Sequence, residues 1–152
     1  MLVQEKLDHE AVKYEEFRHE PTFTSQKMAE AECVHGMNVA KPVIISADDQ
    51  YYMCVLAACC NVDLKALESV LEAGYVRLAW EEELPDLFPD CEVGAESPFG
   101  SLYGMPTILE ERIENEEFIV FQSGTHDKAI KISMEDYLRI EAPRIFSFSV
   151  HV

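Results

Sequence analysis

Lys41 stands in the run Asn38-Val39-Ala40-Lys41-Pro42-Val43-Ile44-Ile45, a cation at the mouth of a predicted β-strand. Apolar neighbours on both sides hold its stem, which suits the ammonium to a phosphate or a carbonyl as a point charge with rotatable donors. The plainer alternative is a solvated lysine at a strand's start, the fate of most lysines. A second segment, Gly94-Ala95-Glu96-Ser97-Pro98-Phe99-Gly100, joins glycines that permit unusual dihedrals to a proline that fixes one. It reads either as a tight turn or as a rigid loop. In the second case its bare N–H groups approach a ligand, stabilise an ester's developing oxyanion and position a water. The third segment, Ser123-Gly124-Thr125-His126-Asp127, follows an apolar strand. The His126 imidazole suits hydrogen bonding to an ester or its water, although a lone histidine is more often structural.

Other chemistries fall away. His19 beside Glu20 serves to anchor the turn at Pro21, His35 is an alternative, and His9 and His151 lie near the ends. None of the five histidines has HExxH or other ligand spacing, so no catalytic metal is expected. Gly124-Thr125-His126 lacks the strand-turn-helix serine of a hydrolase elbow, and no phosphate or dinucleotide loop is present. The acidic runs at 81–83 and 114–117 lack EF-hand spacing and read as solvated faces. Cys33, Cys54, Cys59, Cys60 and Cys91 form no CxxC pair and are odd in number, so buried, reduced thiols are expected.

The elements that must position these groups follow from pattern. Residues 2–13 fit a short amphipathic helix, and 14–18 an extended segment. A second helix is expected over 25–33 behind the hydroxyls of Thr22, Thr24 and Ser25. Residues 39–47 and 51–58 are nearly continuous apolar runs about Asp48-Asp49-Gln50, which predicts a central hairpin of strands covered on both faces. Asn61 or Asp63 caps a helix carrying Leu64, Leu67 and Leu71, with Gly74 as its expected end. A strand over 75–79, an acidic helix over 81–88 and an irregular loop over 91–104 come next. Strands over 106–109, 118–121 and 128–133 follow, then a helix over 134–140 and a closing strand over 145–150. The fold class expected is α+β, a single domain over 1–152 with helices packed outside a mixed, curved sheet.

A chain of 152 residues buries about 70% of its unfolded surface, and 48% hydrophobic residues supply a core without staples. No apolar run nears the roughly 20 residues of a membrane helix. The mixed-charge, amphipathic N-terminus is not expected to act as a signal peptide. A soluble, cytoplasmic protein is expected, without a membrane partner. Twelve Lys and Arg against 29 Asp and Glu give −17, which opposes a long grip on a phosphate backbone and argues against DNA. Such a chain can still touch the end of one strand through a local patch or with help from a partner protein.

In their order, these segments resemble the editing-domain family of YbaK and the prolyl-tRNA synthetase editing insert. The resemblance rests on His19-Glu20, Ala40-Lys41, Val62-Asp63-Leu64, Glu81-Glu82-Glu83-Leu84, Val93-Gly94, Ser97-Pro98-Phe99-Gly100 and Gly124-Thr125-His126, and it spans about residues 19–144. It implies a barrel-like mixed sheet and hydrolysis, without cofactor or metal, of the ester joining an amino acid to the terminal adenosine of tRNA. The family's signature lysine falls on Lys41, its pocket-shaping Gly-x-x-x-Pro loop on Gly94 to Pro98, and a histidine of several members on His126. Lys41, Gly94 and His126 are thereby the implied catalytic residues. His19, Pro98, Phe99, Gly100, Gly124 and Thr125 are the implied substrate contacts. The implied partners are the acceptor end of aminoacyl-tRNA and a synthetase. Pro42 stands where family members commonly carry threonine, removing a donor and a hydroxyl beside Lys41. The competing expectation is a non-catalytic module of this fold that binds a synthetase or another protein through its acidic face. A hydrolase of another small acyl ester is the third.

Overall fold

The computed structural model describes residues 2–18 and 36–151. The helix expected over 25–33, together with His19, Cys33 and His35, lies outside them. Helix α1 (Val3–His9) buries Val3 and Leu7, four residues apart and therefore on one face. Strand β1 (Glu15–Arg18) follows. Strands β2 (Ala40–Ala47) and β3 (Gln50–Ala57) form the expected hairpin. Asp48 and Asp49 turn it at φ 48° and 69°, the paired left-handed conformation whose twist suits a two-residue hairpin loop.

A short strand, β4 (Cys60–Val62), precedes α2 (Leu64–Leu71). The Asp63 carboxylate caps α2 by accepting from Lys65 N at 3.1 Å and Ala66 N at 3.2 Å. The helix ends in left-handed Glu72 rather than at Gly74. Gly74 and Tyr75 instead donate their N–H groups to the Asp48 carboxylate, tying β5 (Val76–Leu78) to the hairpin turn. The acidic segment expected as one helix divides into a 3-10 turn (Glu81–Glu83) and α3 (Leu84–Leu87), with Pro85 in the first turn where no N–H is missed.

Strand β6 (Thr107–Glu110) leads through the single turn α4 (Glu111–Glu114) to β7 (Phe118–Gln122). Then come β8 (Lys128–Ser133) and α5 (Met134–Glu141), whose N-cap Ser133 accepts from Asp136 N. The closing segment is two strands, not one. Strand β9 (Arg144–Phe146) pairs with β6, and β10 (Ser149–His151) pairs with β4. Between them Phe148 turns into the core, giving its N–H to Glu110 Oε2 at 2.7 Å and accepting from Asp63 N at 2.7 Å.

The main sheet has the order β5-β2-β3-β6-β9. It is antiparallel across β5, β2 and β3 and parallel across β3, β6 and β9, so the expected mixed sheet is present. A three-stranded sheet β1-β8-β7 approaches it through one parallel bridge, Val39 to Val120. These sheets and the β10-β4 pair do not close into a barrel among the described residues. Val39, Ala58, Val120 and Ala129 fill the seam, while Ile45, Met53, Leu56, Ile108, Phe121 and Phe148 belong to the main core. No described helix is long and apolar enough to cross a membrane.

A candidate active site at the open edge of β2

Among the described residues strand β5 covers β2 only from Ile45 to Ala47, leaving the first half of β2 with an open edge. Burial follows suit: Lys41, Pro42 and Val43 are partly exposed, and Ile44 to Ala47 are buried. Ile44 O accepts from Ala79 N at 2.8 Å, so Ile44 directs its backbone groups towards β5. Two residues earlier, Pro42 faces the same side, where no described strand demands the N–H that proline lacks. Pro42 is therefore accommodated without breaking a ladder bond.

In front of this edge lies a cavity of about 270 Å³, lined by Lys41, Pro42, Val43, Ile44, Ala79, Leu84, Gly94 and Glu96. The Lys41 ammonium donates to Ala58 O at 3.4 Å, a long contact for a cation. Burial pushes its pKa below the usual lysine value, while the nearby Cys60 and Cys59 thiols act in the opposite sense. The ammonium is thus under-solvated beside open space. Such a group gains by meeting a negative charge or a developing oxyanion.

The opposite wall is a braced loop. Gly94 has φ 88°, the left-handed conformation that favours glycine, and a Cβ there would make only an ordinary contact of 3.4 Å with His126 Cε1. Its N–H is given to Glu96 Oε1 at 3.0 Å, and Glu96 is only 5% exposed. His126 is buried behind the loop. Its Nε2–H donates to Val93 O at 2.8 Å, which sets that tautomer, and its backbone N–H donates to Glu92 Oε1 at 2.8 Å. Gly124, at φ 103°, donates to Ala95 O at 2.9 Å and accepts from Glu92 N at 2.8 Å. The turn over residues 123–127 therefore clamps the segment over residues 92–96 into place.

The remaining candidates sit elsewhere. Thr125 Oγ1 donates to Asp127 Oδ1 at 2.7 Å, which lowers the carboxyl pKa of Asp127. Pro98 O accepts from Tyr137 OH at 2.6 Å. Phe99 is fully buried, its ring edge-to-face with Phe121 and Tyr137 at 5.7 and 5.1 Å. At Gly100 a Cβ would meet Thr107 Oγ1 at 2.5 Å and Met105 O at 2.8 Å, so only glycine fits. Thus Lys41 and Gly94 line one cavity and His126 backs it, whereas Pro98, Phe99 and Gly100 belong to the packed interior beyond. Sequence reasoning passed over Glu96 and Trp80. The available signals were a carboxylate two residues after a loop glycine and a tryptophan between a strand and an acidic turn.

Cys54 and Cys60 are buried, Cys59 and Cys91 are partly buried, and all four are free thiols. Burial pushes the Cys54 thiol far up, away from reactivity.

An α+β domain with an under-solvated lysine facing a glycine loop across a small cavity is the class that fold and site define. The chain belongs to the Aminoacyl-tRNA editing domain family, whose model matches residues 19–140. It is 31% identical over 102 residues to the Multifunctional Ser/Thr-tRNA deacylase ProXp-y of Escherichia coli (strain K12), a match covering 66% of this chain and 60% of that protein. Among solved structures it superposes on the hypothetical protein APE2540 with a TM-score of 0.88 at 15% identity, covering 97% of this chain and 99% of that one. A proposed trans-editing enzyme for prolyl tRNA synthetase gives 0.82 at 18% identity, over 97% and 94% of the two chains. These two likenesses establish the fold.

Proposed function

We propose that this protein is a free-standing aminoacyl-tRNA deacylase that hydrolyses the ester of mischarged tRNA in trans, in the cytoplasm and without a metal. The observation that carries the reading is Lys41, an under-solvated ammonium on the wall of a cavity that also holds Gly94 and Glu96. An aminoacyl ester is already activated, so positioning and oxyanion stabilisation suffice for its hydrolysis. Lys41 meets the ester carbonyl or the terminal phosphate. With the Gly94 N–H occupied by Glu96, the ammonium is the donor left to the oxyanion, and Gly94 contributes close approach. The Glu96 carboxylate faces the α-ammonium of the aminoacyl group. His126 acts from behind, holding Val93 and hence the loop.

A cavity of about 270 Å³ lies below the roughly 300–1,000 Å³ of sites that engulf drug-sized ligands. That is room for an aminoacyl group, and a small one is in keeping with the Ser/Thr-tRNA named for the Escherichia coli relative. Such an enzyme answers a physical need, because a synthetase separates substrates differing by one methylene by only about 10–200-fold. At −17 the chain grips tRNA weakly by charge, which favours contact with the acceptor end alone or delivery by a synthetase.

The test is hydrolysis of alanyl-, cysteinyl-, seryl- and threonyl-tRNA by wild type and Lys41→Ala, with and without synthetase. Clearance of at least one, reduced about 10²–10³-fold in the variant, is expected. No turnover across the panel overturns the reading and leaves the acidic binding module.

A further inference from the structure

The Lys41 cavity opens to the surface, and an acceptor end that delivers its ester there brings its unpaired bases to the surface around the opening. Trp80 is there. It lies on the chain between two cavity-lining residues, Ala79 and Leu84, and is 62% exposed although it is among the most apolar groups in the protein. The indole is not loosely placed. The Arg77 guanidinium stacks over its ring at 4.2 Å and is itself fixed by Glu83 Oε1 at 2.7 Å and Leu78 O at 3.1 Å. Trp80 N donates to the same Glu83 oxygen at 3.0 Å. Strand β5, held to β2 by Ala79 N to Ile44 O, carries the whole assembly. The result is a pre-organised aromatic plate with a cation behind one face and solvent over much of the rest.

We propose that Trp80, backed by Arg77, is the platform on which an unpaired base of the tRNA acceptor end stacks while its ester occupies the Lys41 cavity. The inference rests on the deacylase reading and gives it a means of capture suited to an acidic chain. Base stacking on an aromatic face needs no net positive charge and tolerates any base, and Arg77 adds cation–π polarisation without net charge because Glu83 neutralises it. Arg77 and Glu83 are thus positioning residues, and Trp80 is the contact.

Trp80 is the chain's sole tryptophan, so its emission reports on this site alone. The expected result on titrating a CCA trinucleotide RNA into the full chain is saturable quenching, with ribose 5-phosphate leaving the emission unchanged. Absence of quenching overturns the proposal. In kinetics, Trp80→Ala is expected to raise KM for mischarged tRNA by about 5–100-fold, the effect of losing one base–aromatic stack. Trp80→Phe recovers most of it. The rise is confined to substrates that carry a base, so the ratio of KM for tRNA to KM for a seryl methyl ester climbs. An unchanged KM, or an equal rise on both substrates, overturns the proposal. Saturable quenching with no turnover of any mischarged tRNA would uphold the platform and remove the deacylase reading, so the two fail separately.

Discussion

Strands β2 and β6 flank β3 and carry a charged residue at nearly the same level of one sheet: Lys41 pairs with Leu56, and Glu110 lies one residue beyond the Val55–Leu109 pairing. Their treatment is opposite. Glu110 is 1% exposed and bonded on both carboxylate oxygens, accepting from Phe148 N at 2.7 Å and from Arg112 N at 3.5 Å. Lys41 is half-buried beside a cavity, and its ammonium has one long contact among the described residues. A buried carboxylate held at both oxygens by the protein's own N–H groups is a clamp. A buried charge left short of partners is kept for something that arrives.

Breaking the comparison on the clamp side has the largest expected effect on stability. Glu110→Ala orphans the Phe148 N–H and unfastens β10, for a loss of about 2–3 kcal/mol. For a chain of this size that is a fall in Tm of roughly 4–12 °C, read by calorimetry. The proposed deacylation, per folded molecule, should survive. Gly100→Ala forces Thr107 and Met105 apart and is expected to lose about 1–3 kcal/mol, measured as a lower denaturant midpoint.

On the Lys41 side the signs reverse. Lys41→Met removes a desolvated charge and keeps the stem's packing, so stability should rise by about 0.5–1 kcal/mol while activity collapses. The folded-state pKa of Lys41 lies below its ordinary value of 10.5. Between the two the unfolded chain holds the extra proton, so wild-type stability gains relative to the variant as pH rises. The gap between the two midpoints should therefore narrow towards pH 10.5, and a gap that widens would refute the desolvation argument. The smallest effect is expected at Thr125→Val. Tm stays in place, and the Asp127 carboxyl returns upward towards its ordinary pKa, visible by NMR titration.

The hairpin was legible because Val43 to Ile45 and Met53 to Leu56 are apolar on both sides, and only a covered strand tolerates that. The α2 cap was legible because Asp63 bonds its own next turn. What sequence hid were outcomes decided by distant partners. The period-two run Ile145 to Val150 looks like one strand, yet Phe148 finds both the core and Glu110, and the run divides. Gly74 looks like a helix terminator, but the Asp48 carboxylate claims its N–H. At the site, Lys41 was conspicuous among apolar neighbours. The inward turn of Glu96 onto Gly94 and the burial of His126 under that loop depend on contacts no local pattern records.

The pairing of β4 with β10 also sets a timetable. Cys60 faces His151 across that ladder, so the strand beside the Lys41 hairpin waits for a partner made some 90 residues later. At about 5–20 residues per second the wait is roughly 5–18 s. Through that interval a nascent chain holds an apolar hairpin with an unpaired strand edge, the feature that recruits aggregation or a chaperone. Strand β1 waits in the same way for β8. The domain is therefore completed from its distal end, and its most vulnerable moment falls during its own translation.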